Sequence, residues 1–463
     1  MIKLFNTLSG KKEEFSPIQD GMVKMYHCGP TVYDYAHIGN LRVYVFADIL
    51  RRTLEYSNFK VEQVINITDI GHLVSDADDG DDKMTKGLKR EGLPFTLQGL
   101  KTLADKYEIA FKEDLKKLNI ETPDHFPRAT SYIKEDIEII KKLEEKGFAY
   151  SISDGIYFDT AKFSDYGKLG GLTPIDESME RVKSSGKKNP RDFALWKLSG
   201  DGHLGFESPW GKGFPGWHIE CSAMSAKLLG QPFDIHTGGA DHIPVHHNNE
   251  IAQSEAAYGK PLAHFWLHNA FLNIEGNKMA KSAGNFNTLN DLEKKGFSPL
   301  SYRYLLLSAH YRSQINFTLE ALEGSQNALK NLVESFLNLG SSGGSIIAKY
   351  QNEFTEYMSD DLNTPKGLAL VWEIMKDESP TPADKRATII DFDKVLGLDI
   401  LEQSMKLQKA LENIPPSVKN LAEERELARK SGDFKRADNL RAEIQSLGFR
   451  VEDGENGPKI LPR

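Results

Sequence analysis

The sequence predicts an α/β protein: a Rossmann-type parallel-sheet domain with an inserted connective segment, then an all-α helical bundle domain, then a small α+β tail. Three observations carry this. Residues 22–28, 41–57 and 60–67 read as strand, amphipathic helix and strand, the order of a parallel pair joined by a crossover helix. Beyond about residue 318 the apolar positions recur only with helical spacing. Residues 419–463 open as a charged helix, with Arg425, Arg429, Lys430, Lys435, Arg436 and Arg441, and close in short strand-like pieces. The domains expected are 1–317, with the insertion at about 120–205, then 318–413 and 414–463.

The elements follow in order. The strand at 22–28 runs into Gly29-Pro30-Thr31, where the chain must turn, and the helix behind it starts near Leu41. Residues 71–83 are rich in acid, with Asp76, Asp78, Asp79, Asp81 and Asp82. Gly80 and Asp81 stand where a calcium loop needs an oxygen ligand and a glycine, so the stretch reads as a solvated loop. Leu97, Leu100, Ala104, Tyr107, Phe111, Leu115 and Leu118 mark one face of a long helix, which Thr122-Pro123 stops. A helix at 132–143 closes at Gly147, and 148–152 with 155–159 reads as a hairpin turning at Ser153-Asp154-Gly155. The polar stretch 173–191 reads as a mobile loop. Residues 215–229 enter a helix, 233–236 form a short strand, Gly238-Gly239-Ala240-Asp241 a loop, 245–257 a helix, and 266–274 a strand turning at Gly276-Asn277. Ser298-Pro299 opens a further helix as cap and first-turn proline. Residues 340–345 are a flexible loop between helices, and Ile414-Pro415-Pro416 marks the last boundary.

Composition narrows the function. A chain of 463 residues, 39% hydrophobic and 27% charged, is ordinary for a globular protein. No apolar run is long enough for a membrane-spanning helix, and the first residues lack the apolar core of a secretory signal, so a cytoplasmic protein without a membrane partner is expected. A net charge of −9 argues against a basic coat for nonspecific nucleic-acid binding, while leaving room for local basic patches.

The chemistry-bearing residues are few and distinctive. The chain has two cysteines, Cys28 at the end of the first strand and Cys221 behind Gly216-Trp217-His218-Ile219-Glu220. In a reducing compartment a metal or catalytic role suits them better than a disulfide. His246 and Glu250 are four apart and share a face of a helix. Two sulfurs, one imidazole and one carboxylate form a ligand set that suits Zn²⁺. His37-Ile38-Gly39-Asn40 falls at a strand-to-helix junction, where free backbone N–H groups and the helix dipole favour phosphate. Gly39 admits the nucleotide closely, and His37 and Asn40 can donate to phosphate oxygens; read alone, the four residues fit an ordinary turn equally well. Lys278 and Lys281, in Lys278-Met279-Ala280-Lys281-Ser282, can clamp a triphosphate from the opposite side. Alone, this pair fits a solvated basic loop.

Together, in this order, the two segments resemble the HIGH and KMSKS signatures of class I aminoacyl-tRNA synthetases. Longer motifs resemble the cysteinyl-tRNA synthetase family: Tyr26-His27-Cys28-Gly29-Pro30-Thr31-Val32-Tyr33-Asp34, Asn66-Ile67-Thr68-Asp69, the stretch from Pro215 to Met224, and His246-His247-Asn248-Asn249-Glu250. The resemblance runs from about residue 2 to 455 and weakens after 320. It implies a ligase that joins L-cysteine to tRNA(Cys) using ATP and Mg²⁺. Zn²⁺ on Cys28, Cys221, His246 and Glu250 takes the substrate thiolate. Serine's hydroxyl, protonated at neutral pH, is a poor ligand for such a metal, and a site built on one polar contact can reject an analogue by about 10⁴–10⁵-fold.

The resemblance also implies roles for His37, Asn40, Lys278 and Lys281 on the phosphates. It gives Gly39, Gly238, Gly239 and Asp241 to the nucleotide, with Asp241 at the ribose, and Thr31, Thr68, Trp217 and His236 to the amino-acid pocket. Trp217 fits the core equally, and His236 fits a partner of a ligand equally. His247 is expected on a helix surface or beside a ligand. Arg441, Arg450 and Phe449 are candidate anticodon contacts in the tail, and a monomer is expected. Two departures stand out: Asn40 replaces the usual His, and Ala280 the usual Ser. The alternatives are a relative that passes cysteine to an amino-sugar acceptor, and a non-catalytic RNA-binding paralogue. The long region after 318 counts against the first, and the intact ligand set with both lysines against the second.

Overall fold

The computed structural model describes residues 1–463 except 71–82, 172–185, 200–203, 275–276, 279–286, 341–342, 455–456 and 463; of Ile274, Asn277, Lys278, Gly454 and Pro462 it describes the backbone alone. The acidic loop expected at 71–83, most of the polar loop at 173–191, and Lys281 lie outside the described residues.

The chain opens with a hairpin that its sequence does not advertise, β1 (Lys3–Asn6) and β2 (Lys11–Glu14). The predicted β-α-β unit follows as β3 (Met22–His27), α1 (Ile38–Tyr56) and β4 (Lys60–Ile65), with the strands parallel. Helix α1 begins three residues before the predicted start, because His37 caps it: its Nδ1 accepts the Asn40 N–H at 3.1 Å. Helices α2 (Lys83–Glu91) and α3 (Leu97–Lys117) come next, α3 burying the predicted Leu100, Ala104, Tyr107, Phe111 and Leu115. Helix α4 (Ile133–Glu145) leads to β5 (Ala149–Ile152), β6 (Gly155–Phe158), β7 (Phe193–Leu198) and β8 (Gly213–Pro215), a four-stranded antiparallel sheet inserted in the sequence between strands of the parallel one.

After α5 (Trp217–Leu228), strand β9 (Phe233–Gly239) returns to the first sheet beside β3. Gly238 and Gly239, expected in a loop, extend β9, paired with His268 and Asn269 of β10 (Ala263–Asn269). Between them lie a wide π turn, Ile243–His247, and α6 (Asn248–Tyr258). The parallel sheet therefore reads β10-β9-β3-β4. Buried Tyr26, Val64, Phe233, Trp266, Cys28 and Cys221 share one apolar cluster, so both thiols are buried in the same core.

The strand predicted at 266–274 is two strands in different sheets. β10 stops at Asn269, because the Ala270 N–H turns to Tyr311 O and Phe271 O accepts from Arg42. β11 (Leu272–Ile274) then pairs antiparallel with β12 (Asn277–Lys278) and parallel with β13 (Ile315–Phe317). Between β12 and β13, α7 (Leu289–Lys294) is opened by a Thr288–Asp291 capping box. α8 (Pro299–Leu307) starts at the predicted Ser298-Pro299, but Ser298 makes no side-chain cap; its N–H instead donates to Gln326 Oε1 at 2.8 Å.

From Leu319 the chain is helical as predicted: α9 (Leu319–Asn338), α10 (Ala348–Ser359), α11 (Thr364–Lys376), α12 (Pro382–Leu396), α13 (Ile400–Glu412), α14 (Pro416–Lys430) and α15 (Phe434–Ser446). A hairpin of β14 (Phe449–Gly454) and β15 (Gly457–Pro462) ends it. Two compact units result: residues 1–326 with 351–370 and 394–396, and residues 327–350, 371–393 and 397–463. The second has its own small core of Val418, Ala422, Ile444 and Val451, against which Phe449 packs. Several of its basic residues are engaged internally: Arg425 and Arg429 with Asp453, Arg436 with Glu424, and Arg450 with Glu334. Among the described residues no helix is long and apolar enough to cross a membrane.

Candidate active site

Parallel strands release their chain at one edge of the sheet, and ligand sites collect there. β3 ends at His27 and delivers Cys28 to that edge. α5 brings Cys221 in its second turn, and the π turn with α6 brings His246 and Glu250. The four ligand atoms lie within 4.8 Å of one another, and all four residues are buried. Cys28 Sγ is 3.6 Å from Glu250 Oε1, Cys221 Sγ 3.7 Å from His246 Nε2, and His246 Nε2 2.8 Å from Glu250 Oε1. Tetrahedral bonds of zinc length place ligand atoms about 3.3–3.8 Å apart. The two thiol contacts match that spacing, and a slight parting of His246 from Glu250 completes it.

The charges suit a dication. Burial alone would raise the Glu250 carboxyl; the facing His236 and His246, by charge and hydrogen bonds, instead hold it below the usual carboxylate range. Burial opposes charging of His246, yet Glu250 and Cys221 lift it to about 10. The Cys28 thiol, through its hydrogen bond, brings Cys221 down to about 7 against its burial. The proton held between His246 and Glu250 is the one a metal ion would displace.

A shell of histidines surrounds the four. His236 Nε2 bonds Glu250 Oε2 at 2.8 Å, which leaves Oε1 facing His246 and Cys28, and its ring stacks on Trp266 at 4.5 Å. His218 Nδ1 meets His246 Nδ1 at 2.8 Å. His247 Nε2 lies 3.4 Å from Cys28 Sγ, its Nδ1 bonds His268 Nε2 at 2.7 Å, and His268 reaches Thr7 Oγ1 at 2.8 Å. Cys28, His236, His247 and Glu250 form a second close set. The first set, with two sulfurs, is the softer and better suited to zinc. Burial keeps His247 and His268 neutral, well below the ordinary histidine value.

Two of the glycines beside the cluster leave no room for a side chain. A Cβ on Gly29, whose N–H donates to Asn66 Oδ1 at 2.7 Å, would collide with the Asn66 carbonyl, and one on Gly238 would come within 2.7 Å of both His242 Nδ1 and His247 Cε1.

The segment expected to meet phosphate, His37–Asn40, sits at the first turn of α1. With Nδ1 accepting from Asn40 N–H, the neutral His37 ring carries its proton on Nε2, as a donor. Gly39 is half-buried and Asn40 exposed. The far end of the second signature's loop joins this turn directly: Ile38 N–H donates to Asn287 O at 2.9 Å, and His37 bridges Thr288. Lys278 lies on β12.

The remaining sequence-chosen residues gather at the same sheet edge. Thr31 and Thr68 bridge each other beyond β3 and β4; the buried Thr68 hydroxyl donates to Glu220 Oε2 at 3.2 Å. Trp217 opens α5, half-buried, with its ring 4.4 Å from that of His246 and the Lys83 ammonium 5.3 Å away. Gly238 and Gly239 end β9, and Asp241 is exposed just beyond. Sequence reasoning gave no role to His218, His268, Thr7, Asn66 or Arg42. His218 lies one helical turn before Cys221, a usable signal; the others converge only through the fold.

Comparisons with known proteins give the family. The family of class I (C) tRNA synthetase catalytic domains matches residues 14–327, and the DALR domain matches residues 353–377. Cysteine–tRNA ligase 1 of Burkholderia lata is 45% identical over 99% of this chain and 97% of its own length. The cysteine–tRNA ligase of Treponema denticola is 42% identical over 98% of each. Among solved structures, a methionyl-tRNA synthetase of Mycobacterium tuberculosis in complex with methionyl-adenylate aligns with a TM-score of 0.56 at 16% identity, over 83% of this chain and 92% of that one. A LeuRS–tRNA–LeuAMS complex from Agrobacterium radiobacter aligns with a TM-score of 0.61 at 10% identity, over 85% of each chain. The structures share the fold; the near full-length identity to the first two relatives decides the family, and the chain belongs to the cysteine–tRNA ligases among the class I aminoacyl-tRNA synthetases.

Proposed function

We propose that this ligase activates L-cysteine with ATP, as its Mg²⁺ complex, to cysteinyl-adenylate and pyrophosphate, and passes cysteine to the 3′ end of tRNA(Cys). The observation that carries the reading is the buried Cys28–Cys221–His246–Glu250 cluster at the sheet edge where β3 leads into the phosphate turn of α1. Zinc, when bound by these four, supplies a soft site selective for a thiolate over a hydroxyl. His236 orients Glu250, and His218 orients His246. Trp217, Thr31 and Thr68 line the amino-acid side, while Gly238, Gly239 and Asp241 receive the nucleoside. The cysteine carboxylate attacks the α-phosphorus and the bond to pyrophosphate breaks. His37 Nε2–H, Asn40 and the N–H groups of the α1 first turn stabilise the charge that builds on phosphate, opposite Lys278 and Lys281. Asn40 donates as an amide where an imidazolium would carry charge. The helical region with the basic tail reaches the tRNA.

The test uses zinc-replete protein with radiolabelled L-cysteine, ATP and total tRNA, alongside cysteine-dependent pyrophosphate exchange without tRNA. Charging that falls by about 10²–10³-fold in Lys281→Ala is the expected result. Exchange without charging redirects the reading to another acceptor, and neither signal with zinc bound removes the catalytic reading.

A further inference from the structure

We infer that Arg42 is the residue that holds the two nucleotide signatures in register, a positioning residue for adenylate formation that does not itself touch substrate. The inference rests on the activity proposed above and adds a residue to it. Arg42 lies in α1, one turn beyond the helix start, and is only 3% exposed. Its Nη1 donates to Phe271 O at 2.6 Å, and its Nη2 to Tyr311 O at 3.2 Å and Ser313 O at 2.5 Å. Among the described residues no carboxylate pairs with it. Burying a cation for three neutral acceptors stabilises a core less than an apolar side chain of similar volume would, so packing alone does not account for it.

The carbonyls it holds do. Phe271 immediately precedes β11, whose antiparallel partner β12 carries Lys278. Tyr311 and Ser313 lie on the turn into β13, which pairs with β11 on its other side. One planar fork thus ties β11, the partner of the strand that carries Lys278, and β13 on its other side to the helix that opens with the first signature. The loop's other end is tied to the same helix by backbone, through Ile38 N–H to Asn287 O and the His37–Thr288 bridge. Tyr302 closes the arrangement by donating its hydroxyl to Ile38 O at 2.7 Å. Burial lowers the guanidinium to about 10, so it remains charged at neutral pH and all its donors stay in place. A shift of about 1 Å between groups that act together costs about 10²-fold in rate, and Arg42 is placed to prevent it.

The test is cysteine-dependent pyrophosphate exchange by the zinc-loaded full chain, with Arg42→Gln, Arg42→Lys, Lys281→Ala and the double variant R42Q/K281A. R42Q is expected to keep its zinc, its circular-dichroism spectrum and its cysteine KM within about two-fold, while kcat falls about 10²-fold. R42K, with one ammonium for three carbonyls, recovers part of that loss. In the double variant the two losses do not multiply: R42Q lowers K281A by no more than about three-fold, because a displaced loop has little left to lose. Three results overturn the inference: wild-type kcat in R42Q, fully multiplicative losses in the double variant, or activity in both Arg42 variants falling only in step with folded protein. Absence of exchange in the parent protein would instead overturn the proposed activity, so the two failures are distinguishable.

Discussion

At the residue scale, the site turns on what each buried polar group has for a partner. Cys28 and Cys221 sit in an apolar cluster yet face His246 and Glu250, and a metal ion held by the four would resolve that conflict. Replacing either cysteine by Ala is expected to leave the dialysed protein with almost no zinc, measured by elemental analysis; full retention would sink the ligand assignment. His236 is hydrogen-bonded to Glu250, one step removed from the proposed metal. His236→Ala should weaken zinc about 10–100-fold in a chelator competition, and unchanged affinity would mean that Glu250 needs no orientation. The four proposed ligands and His37 were legible in the sequence, because their residue types and motif positions are distinctive. Arg42 and His268 were not, since an arginine within a helix and a histidine at a strand end look ordinary until the carbonyls and rings they meet are known.

At the element scale, helix ends and faces decide more than propensity does. The Thr288–Asp291 capping box fixes α7 immediately behind the second signature, and its hydrogen bonds hold the Asp291 carboxyl below its ordinary value. Thr288→Ala should cost about 1 kcal/mol, seen as a lower Tm, while the ATP KM stays near that of the parent because the bridge to His37 is made by backbone. On α3, burial pushes Asp114 up to about 7, with Lys117 opposing only in part. The folded protein therefore holds a proton that the unfolded chain releases near pH 3.9. This group favours folding most at about pH 4 and below, and progressively less up to about pH 7, above which the loss is complete. Asp114→Asn should raise Tm at pH 8 relative to the parent and not at pH 4; an equal gain at both pH values would rule out titration as the cause. The early start of α1 and the split of the 266–274 strand escaped sequence reasoning for a shared reason. Each is set by hydrogen bonds to distant or unexpected groups, His37 Nδ1 in the first case and Tyr311 O with Arg42 in the second.

At the scale of the whole molecule, buried arginines connect segments far apart in sequence. Arg303, fully buried, pairs with Asp48 of α1 at 2.6 Å and donates to the carbonyls of Leu118 and Leu396. Asp48 also holds Arg52 at 2.9 Å. Asp48→Ala leaves both guanidinium groups without that carboxylate and should cost about 3–5 kcal/mol of stability, read from denaturant unfolding. A loss below about 1 kcal/mol would show that the carbonyls suffice. By itself the sequence determined the α/β class, the β-α-β start, the inserted segment, the helical region after 318, and the residue types of the proposed zinc and nucleotide site. Those follow from local periodicity, turn residues and motif spacing, which a linear chain displays. Only the tertiary structure decided which of several histidines face the thiols, that two glycines continue a strand, and that segments flanking the second signature are tied to the helix that opens with the first. Those facts depend on where a carbonyl or ring from elsewhere in the chain comes to rest, and that position is set by packing.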